Sequence, residues 1–209
     1  MKVLVFDTET TGLPKEKNPS IYESTKWPHI IQLSYIVYDS DSNDLVELVD
    51  DYINIAFDVN IDPESEKIHK ISREMLKDGV PISVALAKFN LHAGKCDLMV
   101  AHNVSFDKRM IMVEGIRSKI RMNISDTYCT MKNSIELCKI EAVSRTGETY
   151  FKYPKLSELH YELFKKIPKN THNALIDILI CLRCFCKMEL NKDISRINRP
   201  IRLMLRDTY

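Results

Sequence analysis

The chain has 209 residues, of which 44% are hydrophobic and 28% charged, and its formal net charge is +1 at pH 7. This length suits one domain with a single core, and the composition excludes an intrinsically disordered chain. The near-neutral charge excludes a broad electrostatic grip on a polyanion, but it allows a small site that holds a few phosphates.

The N-terminal apolar run Val3–Phe6 is too short for a signal-peptide core, and no later stretch of the sequence is long and apolar enough to span a membrane. We therefore expect a soluble, intracellular (cytoplasmic) protein with no membrane contact. Its cysteines are expected to be free thiols. Cys181, Cys184 and Cys186 could suggest a zinc site, but no second pair with ligand spacing occurs, so a packed helix face is the better interpretation. The few glycines form no phosphate-binding loop of the P-loop or dinucleotide type.

Apolar, β-branched runs predict a meander of strands at the start of the chain: Lys2–Phe6, Ile30–Tyr38 and Leu45–Ile55, with a turn at Asp39–Asp44. Further along, the pattern predicts a strand at Leu98–Ala101 and an exposed loop at Ser144–Thr149. Helices are predicted at Glu64–Lys77 (one or two), Ser83–His92, Val104–Arg117, Thr130–Ile140, Leu156–Phe164 and Asn173–Leu190, the last of them. Strands followed by alternating helix and strand predict an α/β domain with a mixed sheet flanked by helices.

Two carboxylates stand at the end of the first predicted strand. Residues two apart in an extended chain point to the same face, so Asp7 and Glu9 converge on one point before Gly12 turns the chain away. Paired carboxylates are typical ligands of a hard cation such as Mg²⁺. The alternative interpretation is a solvated strand terminus.

A second cluster, Ala101–Asp107, lies where the predicted strand Leu98–Ala101 gives way to a helix, a position where open α/β sheets tend to bind ligands. Asn103 and Asp107 are four residues apart and would share a helix face. Alternatively, Asn103 is only a helix cap and Asp107 a first-turn charge favoured by the helix dipole.

A third cluster contains His172 and Asp177, whose five-residue spacing does not place them on one helix face. Both reach one site if His172 lies in the loop before the helix and Asp177 in its first turns, with Asn173 as the cap. A histidine beside carboxylates is well placed as a general base. A surface histidine and an unrelated aspartate are the alternative.

In chain order the clusters read Asp-x-Glu, His-Asn-x-x-Phe-Asp and His-x-Ala-x-x-Asp, and together they resemble the DEDDh family of 3′→5′ exonucleases. That family includes proofreading subunits, ribonuclease T and oligoribonuclease. Phe6–Leu13 resembles its first motif, and secondary matches occur at Ile68–Ser72, Asp126-Thr127 and Tyr153–Leu159. Asn173 stands where the sister family has tyrosine, and Lys70 stands where the DEDDh family often has glycine. The resemblance covers residues 1–190 as the exonuclease domain and leaves 191–209 as a C-terminal tail.

The resemblance implies a ribonuclease-H-like fold with a mixed five-stranded sheet flanked by helices. It implies that Asp7, Glu9, Asp107 and Asp177 bind two divalent cations, Mg²⁺ or Mn²⁺, and that His172 deprotonates the attacking water. It further implies that Thr10 meets the terminal 3′-OH, that Leu13 packs on the last base, and that Asn103 lies near the scissile phosphate.

The function expected from this resemblance is removal of 5′-mononucleotides from the 3′ end of single-stranded nucleic acid, with DNA favoured over RNA. DNA repair or proofreading would be the setting, with a polymerase or other replication protein as a partner that the tail could contact. The alternative is a catalytically silent nucleic-acid-binding or polymerase-docking module on the same fold.

Overall fold

The computed structural model describes residues 1–169, 171–206 and 208. Within them a mixed sheet has the strand order β4-β3-β2-β1-β5-β6. Its strands are β1 (Lys2–Thr10), β2 (Ile30–Asp39), β3 (Asp44–Asn54), β4 (Val80–Pro81), β5 (Leu98–Ala101) and β6 (Asp126–Cys129). β1, β2 and β3 form an antiparallel meander, whereas β5 is parallel to β1, and β6 to β5. The carboxyl ends of β1, β5 and β6 therefore meet at one edge of the sheet.

The helices and a separate hairpin complete the chain. The helices are α1 (Pro63–His69), α2 (Ile82–Ala93), α3 (Val104–Arg117), α4 (Thr130–Asn133), α5 (Ile135–Cys138), α6 (Leu156–Phe164), α7 (Ala174–Leu190), α8 (Ile194–Ile197) and α9 (Arg199–Arg206). Short 3₁₀ helices cover Ser24–Lys26 and Arg73–Leu76, and β7 (Glu141–Val143) pairs with β8 (Thr149–Phe151). No helix in the described part of the chain is long and apolar enough to cross a membrane.

The side chains of β1 alternate between two cores. Val3 and Val5 pack in a core with α7, α8 and α9, while Leu4 and Phe6 pack in a core with α2 and α3. β1 therefore lies at the centre of a three-layer α/β structure, as the resemblance predicted.

The prediction of a five-stranded sheet is wrong, because the described residues form a six-stranded one. The added edge strand, β4, pairs only Val80 and Pro81 with the end of β3, and two residues leave no hydrophobic pattern. The predicted helix Thr130–Ile140 is interrupted at Ser134 to give α4 and α5. Of the predicted loop Ser144–Thr149, residues 144–148 form the tip of the β7–β8 hairpin and Thr149 begins β8.

The C-terminal tail is helical, so the prediction that the helix ending at Leu190 is the last one is wrong. In α9, Ile201 and Leu205 are one turn apart and fully buried in the α7 core. Asn198 begins this helix by accepting a hydrogen bond from the Ile201 amide at 2.9 Å.

A bidentate ion pair fastens the tail to α7. Arg183 Nε and Nη2 donate to Asp193 Oδ1 and Oδ2, both at 2.9 Å, and the guanidinium lies 3.8 Å from the Phe164 ring centroid. Hydrogen bonds from Arg183 and Ser195 outweigh the effect of burial and hold the pKa of Asp193 at about 2.

We expect Arg183→Leu to lower the free energy of unfolding by about 3 kcal/mol, because it leaves the partly buried Asp193 carboxylate with only the exposed Arg196, 3.7 Å away, as a charged partner. Lys67→Met is the matched control, since it removes a pair with Glu64 in which both side chains are exposed and should cost less than about 1 kcal/mol. Urea denaturation of the two variants measures the difference. Equal losses would contradict a stabilising role for the Arg183 pair.

Candidate active site

The acidic cluster begins on β1, on the face that packs against α7. Asp7 and Glu9 continue the alternation of Val3 and Val5, so both carboxylates point toward the N-terminus of that helix. The antiparallel pairing with β2 shifts register between Glu9 and Thr10. Such an irregularity bends the strand end and re-aims its side chains.

Asp107 approaches the cluster from α3, on the other side of β1. It lies in the first turn of that helix and is almost fully buried. Its Oδ1 accepts hydrogen bonds from the Thr8 amide at 3.1 Å and the Thr8 hydroxyl at 2.7 Å. These bonds fix the Asp107 carboxylate at the carboxyl end of β1.

Asp177 enters from the first turn of α7, and His172 lies in the preceding loop. The Asn173 side chain caps the helix by accepting from the Ile176 amide at 3.3 Å. His172 has a positive φ of 70°, and its amide donates to Asp177 Oδ2 at 3.0 Å. The positive φ lets the loop turn back onto the helix, which overcomes the unfavourable five-residue spacing.

Asp7, Glu9 and Asp177 each offer a carboxylate oxygen within 4.8 Å of the others, and among the described residues no other group of His, Cys, Asp or Glu has such an arrangement. Within the same part of the chain, the buried Oδ1 of Asp177 has no hydrogen-bond partner. An oxygen-only donor set with an unsatisfied buried carboxylate oxygen fits a hard divalent cation. Asp107 lies outside this close group.

Burial and mutual repulsion raise the pKa values of the clustered carboxyl groups. Burial raises the pKa of Asp7 well above its usual value, and the charges of Asp107, Asp177 and Glu9 raise it further. Burial raises the pKa of Glu9 to about 8, with Asp177 and Asp107 adding to the effect. It raises the pKa of Asp107 and of Asp177 to about 7, against the hydrogen bonds from Thr8 and His172.

The segment after β1 is held in place beside the cluster. The Thr10 hydroxyl donates to the Gly12 carbonyl at 2.7 Å, which leaves its oxygen free to accept a further hydrogen bond. Thr11 exchanges hydrogen bonds with His29, through its amide at 2.8 Å and its hydroxyl at 2.9 Å. Leu13 is 80% exposed at the rim of a cleft of about 560 Å³.

Asn103 lines a smaller cleft of about 180 Å³ with Phe106 and Arg109. It has a left-handed backbone (φ 75°) and makes no side-chain capping bond within the described structure. Asn103 thus occupies the N-cap position, where its carbonyl accepts from the Phe106 amide at 2.9 Å, and a role for its side chain in binding stays a prediction.

The carboxylates of the three predicted clusters thus come together at one end of β1, and the exposed His172 lies in the loop whose backbone contacts Asp177. Sequence reasoning gave no role to Thr8, which anchors Asp107, or to Gln32, whose side-chain oxygen accepts from the Ala174 amide at 3.3 Å. Because side chains alternate along β1, Thr8 points to the face opposite Asp7. Its hydrogen bond to Asp107 can therefore be recognised only once the position of α3 is known. The buried polar Gln32 within an apolar strand was a usable signal. The cysteines of α7 are buried and free, as predicted.

We expect the metal-free protein to lose stability as pH rises. The folded state binds protons more tightly than the unfolded chain, so the stability from the protonated cluster is complete below about pH 4 and is lost as pH rises through about 7 to 8. With chelator present, Asp177→Asn should therefore melt at a higher temperature than the parent at pH 8, and the gap should shrink at pH 5. Calorimetry measures both, with exposed Asp78→Asn as control. A gap that does not change with pH would contradict this account.

The fold resembles that of solved exonucleases. Escherichia coli exonuclease I in complex with a dT13 oligonucleotide matches with a TM-score of 0.65 and 15% identity, over 91% of this chain and 42% of that one. The zinc-bound form of the E. coli exonuclease I–single-stranded DNA complex matches with a TM-score of 0.64 and 16% identity, over 93% and 42%. Exonuclease X in complex with 5′-overhanging duplex DNA matches with a TM-score of 0.58 and 21% identity, over 91% and 93%. The chain thus spans less than half of exonuclease I.

Sequence comparison with curated proteins gives no match. Comparison with family profiles does: residues 4–185 match the RNase T family, described as exonuclease. This range includes the acidic cluster, His172 and the helices on both faces of the sheet. The chain therefore belongs to the RNase T exonuclease family, with the ribonuclease-H-like fold predicted from its motifs.

Proposed function

We propose that this protein is a metal-dependent 3′→5′ exonuclease that releases 5′-mononucleotides from single-stranded nucleic acid. The observation that carries the proposal is the group of carboxylate oxygens from Asp7, Glu9 and Asp177 with His172 at its mouth. Membership of an exonuclease family gives the reaction class. Polarity, metal use and product are the parts that we add.

In this proposal Asp7, Glu9 and Asp177 hold divalent cations, with Asp107 contributing directly or through water. The cations are Mg²⁺ or Mn²⁺, because the close donors are all carboxylate oxygens and the family resemblance implies these ions. When bound, two such ions would supply positive charge beside the attacking and leaving oxygens of the phosphodiester.

The protein's own groups orient the 3′ end. The Thr10 hydroxyl oxygen accepts a hydrogen bond from the terminal 3′-OH, while the exposed Leu13 side chain packs on the last base. Asn103 contacts the strand near the scissile phosphate, as the family resemblance implies. A site that expects a hydroxyl beside Glu9 and Thr10 gives the reaction its 3′→5′ direction.

His172 acts as the general base that takes a proton from the attacking water. The hydrogen bond from its amide to Asp177 and the cap by Asn173 place its loop at the edge of the cluster. The imidazole is exposed, so it can exchange its proton with solvent after each turnover.

DNA is our favoured substrate, since the solved relatives reported above were determined with single-stranded DNA or overhanging duplex DNA. A catalytically silent binding module is disfavoured because every predicted catalytic position carries the required side chain. The comparisons give no support to a polymerase or other replication partner, and we do not propose one.

The proposal is tested by digestion of a 5′-labelled single-stranded DNA with Mg²⁺ or Mn²⁺. We expect a ladder that shortens from the 3′ end, 5′-mononucleotide as product, and strong inhibition by a 3′-phosphate. Chelator, Asp7→Asn and Asp177→Asn should each abolish the activity. Asp78→Asn, an exposed carboxylate on the far side of β3, is the matched control and should be fully active.

Digestion of circular single strands, or full activity in chelator, would contradict the proposal. Parallel rates on an RNA of the same sequence measure the DNA preference. A preference for RNA would correct the substrate and leave the mechanism in place.

We expect His172→Ala to lower kcat by about 10²- to 10⁴-fold with little change in KM, which is the usual contribution of a positioned base. His92→Ala is the control, since His92 lies on α2 and contacts Tyr35. Steady-state kinetics on one oligonucleotide compare them. An effect confined to KM would make His172 a binding residue.

A further inference from the structure

The β7–β8 hairpin carries exposed aromatic side chains that the proposed chemistry does not use. Phe151 is 39% exposed and Tyr153 is 55% exposed. Lys152 donates its amide to the Ile140 carbonyl at 2.9 Å, which continues the strand pairing past β8. Phe151 and Tyr153 are two residues apart in this extended segment, so both rings point to the same face.

The base of the hairpin is joined to the active site. His102 Nε2 lies 3.0 Å from the Pro154 carbonyl oxygen, directly after Tyr153, and its Nδ1 lies 3.0 Å from Thr130 Oγ1. Val5 pairs with Val100 in the parallel register. His102 follows the end of β5 directly, and continuing the same register by two residues places it beside Asp7. Tyr153 therefore stands one residue from a direct contact with His102, next to the strand end that carries Asp7.

Charge alone would hold a strand poorly on this surface. Exposed Lys139, Arg145 and Lys155 are interleaved with exposed Glu141 and Glu148. The net charge of the whole chain is +1, so it offers no long basic track for phosphates. Aromatic rings can hold a strand without such a track, because each unpaired base presents a face on which they stack.

We propose that the aromatic face formed by Phe151 and Tyr153 is a stacking platform for the unpaired bases upstream of the scissile phosphate. The proposal rests on the proposed function, because it extends the path of the substrate away from the acidic cluster. Its occupant is an unpaired nucleic-acid strand, since paired bases keep their faces stacked on one another. The platform selects for single-stranded or frayed 3′ ends.

The test compares two substrates of the same enzyme. A single-stranded dT12 spans both the active site and the platform, whereas the p-nitrophenyl ester of thymidine 5′-monophosphate has no upstream base. We expect the double variant Phe151→Ala, Tyr153→Ala to raise KM for dT12 by about tenfold or more, with KM and kcat for the ester unchanged. Phe151→Tyr and Tyr153→Phe, which keep the rings, should behave like the parent.

Phe57→Ala is the matched control. Phe57 is 93% exposed and follows β3, which β2 and β1 separate from β5 in the sheet, whereas the hairpin base contacts His102 at the end of β5. This variant should leave both substrates unaffected. An unchanged KM for dT12 in the double variant, or an equal loss on both substrates, would overturn the platform.

Two further measurements distinguish a failure of this proposal from a failure of the proposed function, and a nucleic-acid platform from a protein interface. Fluorescence anisotropy of labelled dT12 in chelator measures binding without catalysis. If the parent binds dT12, the double variant binds it more weakly and neither substrate is cleaved, the proposed function is contradicted but the platform is not. Sedimentation of the parent and the double variant tests the rival occupant, a second copy of the chain. A dimer that the double variant dissociates would overturn the platform in favour of a protein interface.

Discussion

The main constraint on this structure is that it must hold several carboxylates close together at the carboxyl end of β1. Asp7, Glu9 and Asp177 bring oxygens within 4.8 Å of one another, and Asp107 stands near enough for its charge to raise the pKa of Asp7. Like charges at such distances oppose folding unless protons or cations neutralise them. The protein must therefore hold this cluster by packing that lies elsewhere.

That packing comes from the two cores on either side of β1. Even-numbered residues of the strand anchor it against α2 and α3, and odd-numbered residues anchor it against α7 and the tail helices. The hydrogen bonds from Thr8 to Asp107 join α3 to the strand end. On the other face, the Gln32 side-chain oxygen accepts a hydrogen bond from the amide of Ala174, the first residue of α7. Each acidic side chain is thus carried by an element whose position is fixed away from the site.

Much of this arrangement is readable in the sequence. Two-residue alternation predicts that Asp7 and Glu9 share a face, and the cap residue Asn173 predicts where α7 begins. The strand Leu98–Ala101 was predicted because it is apolar throughout. These patterns are local, so no knowledge of the tertiary structure is needed to detect them.

Other features have no local pattern. β4 is too short to alternate, and β6 is a strand because β5 pairs with it, although Asp126 and Thr127 are polar. The Thr8–Asp107 contact spans 99 residues in sequence and depends on how α3 docks. In the tail, Arg199, Arg202 and Arg206 are interspersed with the apolar residues of a helix that buries only Ile201 and Leu205, so the apolar pattern is weak. Tertiary packing decides all of these.

The central claim is that a divalent cation neutralises carboxylates that the fold crowds together and keeps partly protonated. Mn²⁺ titration of the apo-protein at pH 6.5, by calorimetry in two buffers of different ionisation enthalpy, measures the protons released on binding. Our account predicts clear proton release that falls as pH rises above about 8, because the pKa values of the cluster lie near 7 and 8. Saturable binding at pH 6.5 without proton release would contradict it.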